Sequence, residues 1–369
     1  MHLHLSRRIC GRICGRSAGS LAAAALLAAA AALAAPPLAE PVPDPIPTAT
    51  AREVALHTIA LVESEGVYPR DRNEYAAARA QVLATFDGAG EQVDRRALFE
   101  RITALLRTLD ADGHSFIFTP RAERQMQAAY GVARTSAGKP SFAVVATAHG
   151  KVLHWTPPQS YGDLATEAPL LLARLAGDHA ATPQAAAACA LVVDLTAQHG
   201  GNAWPPLIAM QPLLGGANTA VFVARDGARS PIVNLPQLRE TATAYGKQLA
   251  NPLQRFAGAP LAVVVGPRTS SAGEMLLIAL LGEGARTRTF GHTSQGSTTA
   301  NRSHKLADGS TLVLTTMRYA LGDAAPVKGG IPPRQAAAAD APADAIVLQA
   351  AQWAAQASPA CAQPVQPAL

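Results

Sequence analysis

The chain has 369 residues, of which 49% are hydrophobic and 15% are charged, so it can form one large domain or one domain with a helical appendage. Its formal net charge of +5 is concentrated near the N-terminus, where Arg7, Arg8, Arg12 and Arg16 lie. Because the rest of the chain is close to neutral, the composition predicts no nucleic-acid partner.

The N-terminal segment has the pattern of an export signal. Its arginines are followed by an Ala/Leu-rich run from Leu21 to Leu33 and by small residues at Ala32 and Ala34 that suit a signal peptidase. The alternative is a membrane anchor, but the run is shorter than the ~20 apolar residues of a spanning helix. We predict a signal peptide over residues 1–35, a periplasmic or secreted mature protein, and no stable membrane span after cleavage.

The next two regions are predicted to be a linker and a helical domain. Residues 36–50 are rich in proline, which indicates an extended linker. Between residues 51 and 112, apolar residues recur at helical spacing in successive segments, which predicts a small N-terminal helical domain. The helical pattern stops abruptly at Asp110-Ala111-Asp112-Gly113.

Residues 113–357 alternate between strand and helix patterns. Continuous apolar runs such as ALVVD are typical of strands covered on both faces, and the alternation predicts a layered α/β core with right-handed crossovers. A last helix, ADAIVLQAAQWAAQ, precedes residues 358–369, which we predict to be a disordered tail. The predicted strands are SFAVVATA, GKVLHWTP, ACALVVDL, TAVFVA, LAVVVGP, TRTFGHTS and TLVLTTMRYA.

The cysteines carry little information by themselves. Cys10 and Cys14 lie in the predicted signal, which leaves Cys189 and Cys361 in the mature protein. In an oxidising compartment these two could pair, or one could be a buried thiol and the other a tail thiol, and both alternatives stay open. No zinc-ligand spacing is present, and no metal or organic cofactor is predicted.

A pair of serines stands where a predicted strand turns into a predicted helix, in VVVGPRTSSAGEMLLIAL. A serine at the start of a helix lies in the field of the helix dipole, beside unpaired N–H groups that could stabilise an oxyanion. The alternative is a structural one, in which Ser270 or Ser271 caps the helix and Glu274 completes a capping box.

Two other stretches could contribute to the same chemistry. In ALVVDLTAQHGGNAWPP, Gly200 and Gly201 follow a buried strand, where a backbone N–H could approach a ligand, although a plain turn would look the same. In DADGHSF, His114 lies between a helix and a strand and could be a general base, although a lone histidine is more often a surface residue.

These stretches together resemble the tail-specific, or C-terminal processing, serine peptidases and their relatives in tricorn protease and the interphotoreceptor retinoid-binding protein. DADGHSF is similar to the family's Asp-x-His-Ser/Thr element, DLTAQHGGN to its DLRxNxGGN loop, and RTSSAGE to its xTxSxxE nucleophile turn. FGHTSQGSTTAN resembles the segment FGxPTxGxxTxN that follows. The resemblance spans residues 51 to 333, and the four motifs follow one another in the family's order with similar spacing.

The resemblance implies a fold, a set of roles and an activity. The fold is a ClpP/crotonase-like layered α/β core behind a small helical bundle. Ser271 corresponds to the family nucleophile and His114 to the base of the tricorn-like branch. Ala272 and either Gly200 or Gly201 correspond to the oxyanion-hole donors. The activity is that of a serine endopeptidase acting on a peptide or protein substrate.

Several positions depart from the family pattern. Ser297 stands where the tail-specific branch has its Lys base, and Lys305 lies too far along the chain to replace it. Arg334 stands where the tricorn-like branch has an acidic residue that orients the histidine, which leaves Asp323 as the nearest acidic candidate.

Two more departures concern the glycine loop and the substrate. Thr196 and Gln198 replace the Arg and Asn that anchor the loop in the family. The stretch between Phe118 and Phe142 is too short for a PDZ module, so we expect an extended peptide along a strand edge instead of capture of a free C-terminus. The alternatives are a catalytically decayed binding protein on the same scaffold and a non-peptidase acyl hydrolase.

Overall fold

The computed structural model describes residues 44–109, 113–135, 141–246 and 249–362. These residues fall within one compact unit, Pro43–Leu369. The predicted signal peptide and most of the predicted linker lie outside the described residues. The helices are α1 (Thr48–Ser64), α2 (Arg72–Leu83), α3 (Arg95–Arg107), α4 (Pro120–Thr135), α5 (Leu164–Ala181), α6 (Trp204–Met210), α7 (Leu235–Gly246), α8 (Ala272–Leu281), α9 (Ala343–Ala357) and α10 (Pro359–Ala362).

The described strands form a small hairpin and two larger sheets. The main sheet has the order β13-β10-β9-β6-β5-β4, and the second sheet the order β11-β12-β7-β8, with β3 also paired to β12. The strands are β1 (Pro45–Pro47), β2 (Gln92–Asp94), β3 (Phe116–Phe118), β4 (Phe142–Thr147), β5 (Gly150–Trp155), β6 (Ala190–Asp194), β7 (Ala220–Ala224), β8 (Arg229–Pro231), β9 (Leu261–Val265), β10 (Thr287–Gly291), β11 (Thr299–Lys305), β12 (Thr311–Leu321) and β13 (Gln335–Ala336).

The centre of the main sheet is parallel and covered on both faces. Each residue of β6 and β9 is buried, as the continuous apolar runs predicted. Successive side chains along each strand point to opposite faces of the sheet. Leu191 and Val263 pack towards α5, α6 and α8. Val192 and Val264 pack against α9 on the other face. The layered α/β prediction is therefore confirmed.

Apart from Glu274 in its first turn, helix α8 is apolar on all sides, as expected of a helix buried between the two sheets. Its residues Leu276 and Leu277 belong to the same core as Val263 of β9 and Tyr319 of β12. A helix in this position has little freedom to shift, since protein interiors are close-packed. The residue at its N-terminus, Ser271, is thereby held on a rigid element.

The N-terminal helices do not form a core of their own. Helices α1 to α3 bury their apolar faces against the second sheet, and Leu306, Leu312 and Leu314 from the β11–β12 hairpin complete that core. The predicted boundary between residues 112 and 113 therefore separates two stretches of sequence that share one hydrophobic core.

Both predicted irregular segments contain regular structure where they are described. Within the predicted linker, Pro45–Pro47 pairs antiparallel with Gln92–Asp94, and α1 already begins at Thr48. Within the predicted tail, Pro359–Ala362 is helical and residues 363–369 lie outside the described part. The composition of these segments does not predict this regular structure, because the residues that they pair or pack with are distant in sequence.

A disulfide joins Cys189 to Cys361 across a sequence separation of 172 residues. Of the two alternatives for these cysteines, a disulfide or two free thiols, the structure has the disulfide. The bond links α10 to the start of β6. None of the described helices combines the length and the apolar character that crossing a membrane requires.

Candidate active site

Ser271 occupies an unusual backbone conformation at the turn between β9 and α8. Its φ is +51° and its ψ is −107°, outside the regions that residues other than glycine favour. Such strained residues cost of order 1–3 kcal/mol each and persist where the surrounding structure fixes them. The conformation of Ser271 is therefore one that its neighbours must hold.

Glu274 fixes that strained conformation from inside the protein. It has no exposed surface, and its Oε2 accepts a hydrogen bond of 3.0 Å from the Ser271 N–H. Its Oε1 accepts from Ser294 Oγ at 2.6 Å and from the Gly296 N–H at 2.7 Å. Burial raises the pKa of Glu274, although these donors act in the opposite direction.

The two serines differ in what their hydroxyls do. The first turn of α8 has the reciprocal arrangement of a capping box: Glu274 accepts from the Ser271 N–H at 3.0 Å, and the Ser271 side chain faces the Glu274 N–H without closing a cap hydrogen bond of ordinary geometry. The Ser270 hydroxyl donates to the His199 carbonyl at 2.7 Å. Ser270 is therefore a structural residue, and Ser271 keeps its hydroxyl available.

The glycine loop after β6 lies directly against Ser271. A Cβ on Gly200 would lie 3.5 Å from Ser271 Cβ, and a Cβ on Gly201 would overlap the Ser160 carbonyl oxygen. Both glycines have positive φ, +125° and +104°, which other residues rarely adopt. Gly201 therefore has no room for a side chain, and at Gly200 the positive φ, more than the available space, favours glycine.

The residues that replace the family's anchors still hold the loop. Gln198 Nε2 donates to the Pro157 carbonyl, and the Gln198 carbonyl accepts from the Ser270 N–H at 2.9 Å. Thr196 Oγ1 donates to Asp194 Oδ1 at 2.6 Å. Different side chains thus achieve the anchoring that the sequence alone left in question.

Asp194 has a second partner on the neighbouring strand. Its Oδ2 lies 2.9 Å from Nε2 of His154. Burial by itself would raise the pKa of Asp194, but the hydrogen bonds from His154 and Thr196 lower it. The Asp194 carboxylate, at the end of β6, therefore holds Thr196 at the start of the glycine loop.

His114 lies between α3 and β3 and is held at its ring and at its backbone. Its Nδ1 lies 2.6 Å from Thr299 Oγ1, and its carbonyl accepts a hydrogen bond of 3.0 Å from Asn301 Nδ2. Thr315 Oγ1 in turn donates to Asn301 Oδ1 at 2.9 Å. Thr299 and Asn301 both lie in the motif FGHTSQGSTTAN, and the motif alone indicates no role for either residue.

His114, Gly201, Ser271 and Ala272 line one cavity of about 600 Å³. As the first residue of α8, Ala272 has an N–H without an intrahelical acceptor. His114 and Ser271 both line this cavity, and among the described residues no hydrogen bond joins their side chains. The structure thereby brings together the predicted nucleophile, base, loop and helix N-terminus.

Asp323 is not part of this cavity. It lies in the exposed turn after β12, where Arg229 donates to its carbonyl at 3.5 Å. Lys305 donates to Glu123 and Thr311, which agrees with the expectation that it does not replace the family's Lys base. The group beside Nδ1 of His114 is the hydroxyl of Thr299.

Residues 178–336 match the profile of peptidase family S41. Over this span the chain is similar to the peptidases of family S41. The matched span includes the glycine loop, Ser271 and the Thr299 segment, whereas His114 lies before it. The predicted resemblance to C-terminal processing peptidases is confirmed, and the assignment supports a serine-type peptidase.

Two known proteins are similar over different lengths. A nisin-resistance protein of Lactococcus lactis subsp. lactis is 32% identical over 127 residues, which cover 34% of this chain and 39% of that protein. A lipoprotein from Streptococcus agalactiae has the same fold, with a TM-score of 0.62 and 17% identity over 83% of this chain and 96% of that one. The second likeness shows a common fold that extends well beyond residues 178–336.

Proposed function

We propose that the chain is an exported serine endopeptidase with Ser271 as nucleophile, His114 as base, and backbone N–H groups of Ala272 and of Gly200 or Gly201 as the oxyanion hole. The observation that carries the proposal is the conformation of Ser271. Its backbone is strained, its side chain closes no cap hydrogen bond of ordinary geometry, and it lines a cavity that His114 also lines.

The reaction follows from these positions. Ser271 Oγ attacks the scissile carbonyl carbon and transfers its proton to Nε2 of His114, while the carbonyl oxygen becomes an oxyanion that the N–H groups stabilise. Collapse of this intermediate breaks the C–N bond, and His114 returns the proton to the leaving amine. Water then hydrolyses the acyl-enzyme by the same steps and restores the Ser271 hydroxyl.

The wall of the cavity next to Ser271 suits an apolar substrate side chain. Phe222 and Tyr319 are directly opposite each other on β7 and β12, with ring centroids 6.0 Å apart, and Trp204 lies 6.5 Å from Phe222. Met275 follows Ser271 by one helical turn and lines the same cavity. We name these four residues the aromatic pocket.

The aromatic pocket predicts substrate preference. Peptides with Leu or Phe before the scissile bond should be cleaved at least about tenfold better than matched peptides with Asp there, because a buried charge without a partner is costly. Phe222→Ala should reduce this preference while Ser271 still reacts with a small fluorophosphonate. Equal cleavage of the two peptides would contradict the assignment of the pocket.

The pH dependence should reflect the buried histidine. Burial lowers the pKa of His114 from 6.5 to about 4. Above that pKa the ring is neutral and can accept a proton, whereas below it the ring is charged and inactive, so kcat/KM should fall only as the pH approaches about 4. The measurement is kcat/KM from about pH 3.5 to 8, with circular dichroism as a control for folding; an acid limb near 6.5 would contradict it.

The proposal includes export because the protein contains a disulfide. Disulfides persist mainly in oxidising compartments outside the cytoplasm, and Cys189 is bonded to Cys361. The neighbour from Streptococcus agalactiae is a lipoprotein, which points to the same side of the membrane. Because the Lactococcus relative is a nisin-resistance protein, nisin is the first natural peptide to test as a substrate.

The direct test is covalent labelling of Ser271. The purified mature protein is incubated with a fluorophosphonate, and the adduct is located by intact mass and peptide mapping. A single adduct on Ser271 that is lost in His114→Ala is the expected result. A protein that melts cooperatively but forms no adduct would refute the catalytic proposal and favour a binding protein with an apolar ligand.

A further inference from the structure

A histidine base needs a partner for its second ring nitrogen. In Ser-His-Asp triads a carboxylate holds the Nδ1–H, and this leaves Nε2 free to accept the proton of the nucleophile. No Asp or Glu is among the described residues that line the cavity around His114 and Ser271. The side chain beside Nδ1 is that of Thr299, whose Oγ1 lies 2.6 Å away.

We propose that Thr299 replaces the triad carboxylate, with its hydroxyl oxygen accepting a hydrogen bond from Nδ1–H of His114 and so holding the tautomer that leaves Nε2 unprotonated. This inference rests on the proposed function of Ser271 and His114. Thr299 touches neither the nucleophile nor the scissile bond in that mechanism, so it is a positioning residue.

The strand that carries Thr299 is shaped for this contact. A bulge between Ala300 and Asn301 shifts the register of β11 against β12. Bulges next to active sites commonly redirect side chains, and here the residues on either side of Ala300 both hold His114. Thr299 contacts the ring and Asn301 donates to the backbone carbonyl, so the bulged segment fixes one histidine at two points.

Burial keeps this contact from being lost to water. Thr299 is only 6% exposed, and Asn301 is itself held by Thr315. A neutral hydroxyl orients the ring but adds no negative charge to stabilise an imidazolium. This agrees with the pKa of His114, which burial lowers and no neighbouring carboxylate raises.

The first test reads the tautomer directly. The ¹⁵N chemical shifts of His114, assigned by their absence from His114→Ala, are measured at about pH 7 in histidine-labelled protein. Nδ1 should be protonated and Nε2 bare, and in Thr299→Val this preference should be reduced or lost. A protonated Nε2 in the unaltered protein would overturn the proposal, because the ring could not then act as the base.

The second test is kinetic and uses matched variants. Thr299→Val keeps the shape of the side chain and removes the hydroxyl, so kcat should fall by about tenfold to a hundredfold with little change in KM. Thr299→Ser restores a hydroxyl and should recover most of kcat. Thr243→Val, an exposed substitution on α7, is the control and should leave kcat unchanged.

A third variant distinguishes orientation from packing. Thr299→Asp places a carboxylate beside Nδ1, which should move the acid limb of kcat/KM upward by about 1 pH unit or more, because a negative neighbour favours the charged imidazole. A role in packing alone would not move that limb.

The outcomes separate this proposal from the proposed function. If the unaltered protein does not react with fluorophosphonate at Ser271, the peptidase proposal fails and the role of Thr299 fails with it. If Ser271 reacts normally but Thr299→Val has the kcat of the unaltered protein, only the role of Thr299 is wrong.

Discussion

Replacing Ser271 with Ala is expected to lower kcat by about 10⁴-fold or more, because the acyl-enzyme can no longer form. The free energy of unfolding should fall by at most about 1–2 kcal/mol, the usual cost of a lost helix cap, because Ser271 also takes part in the capping box of α8. Initial rates on a fluorogenic peptide and a thermal melt of the same preparation measure both quantities.

The neighbouring serine provides the matched comparison. Ser270→Ala removes the hydrogen bond to the His199 carbonyl but leaves the Ser271 hydroxyl in place, so the protein should still be labelled by fluorophosphonate. Ser230→Ala on the exposed strand β8 should change neither labelling nor rate. Loss of labelling in Ser270→Ala together with full activity in Ser271→Ala would exchange the roles of the two serines.

The strained backbone of Ser271 predicts a difference in stability between two inactive variants. Ser271 has a φ of +51°, which glycine adopts without the steric cost that other residues incur. Ser271→Gly should therefore be more stable than Ser271→Ala by about 1 kcal/mol, although both are inactive. Equal melting curves would mean that the backbone of Ser271 is not strained in solution.

Removing the disulfide is expected to have the largest effect on stability. The bond between Cys189 and Cys361 closes a sequence separation of 172 residues, so it restricts the unfolded chain strongly. The double variant Cys189→Ser/Cys361→Ser should lose about 2–4 kcal/mol of unfolding free energy, measured by urea titration.

Activity should survive this loss under native conditions. The bond lies at the start of β6, whereas the glycine loop follows the end of that strand, so the site has no direct contact with the sulfur atoms. Reductant should destabilise the unaltered protein and have no effect on the double variant. A urea midpoint that is the same with and without reductant in the unaltered protein would show that the bond does not form in solution.

Much of the architecture is determined by local sequence. The runs ALVVD and LAVVV are continuous and apolar, and such strands are stable only when both faces are covered, which requires helices on either side of the sheet. The same local logic located Ser271 at a strand-to-helix turn and the glycine pair at a strand end. These features depend on residues close together in the chain, so their pattern can be read directly.

Only the tertiary structure decided which distant residues meet. Thr299 and His114 are 185 positions apart, and their contact depends on a bulge in β11 and on the packing of the helical segment against the second sheet. Composition placed Cys361 in an irregular tail, whereas α10 brings it to Cys189. Asp323 was the nearest acid in the sequence, yet it lies in an exposed turn outside the cavity. Proximity in sequence does not determine proximity in space, because side-chain contacts between elements are set by how the sheets and helices pack.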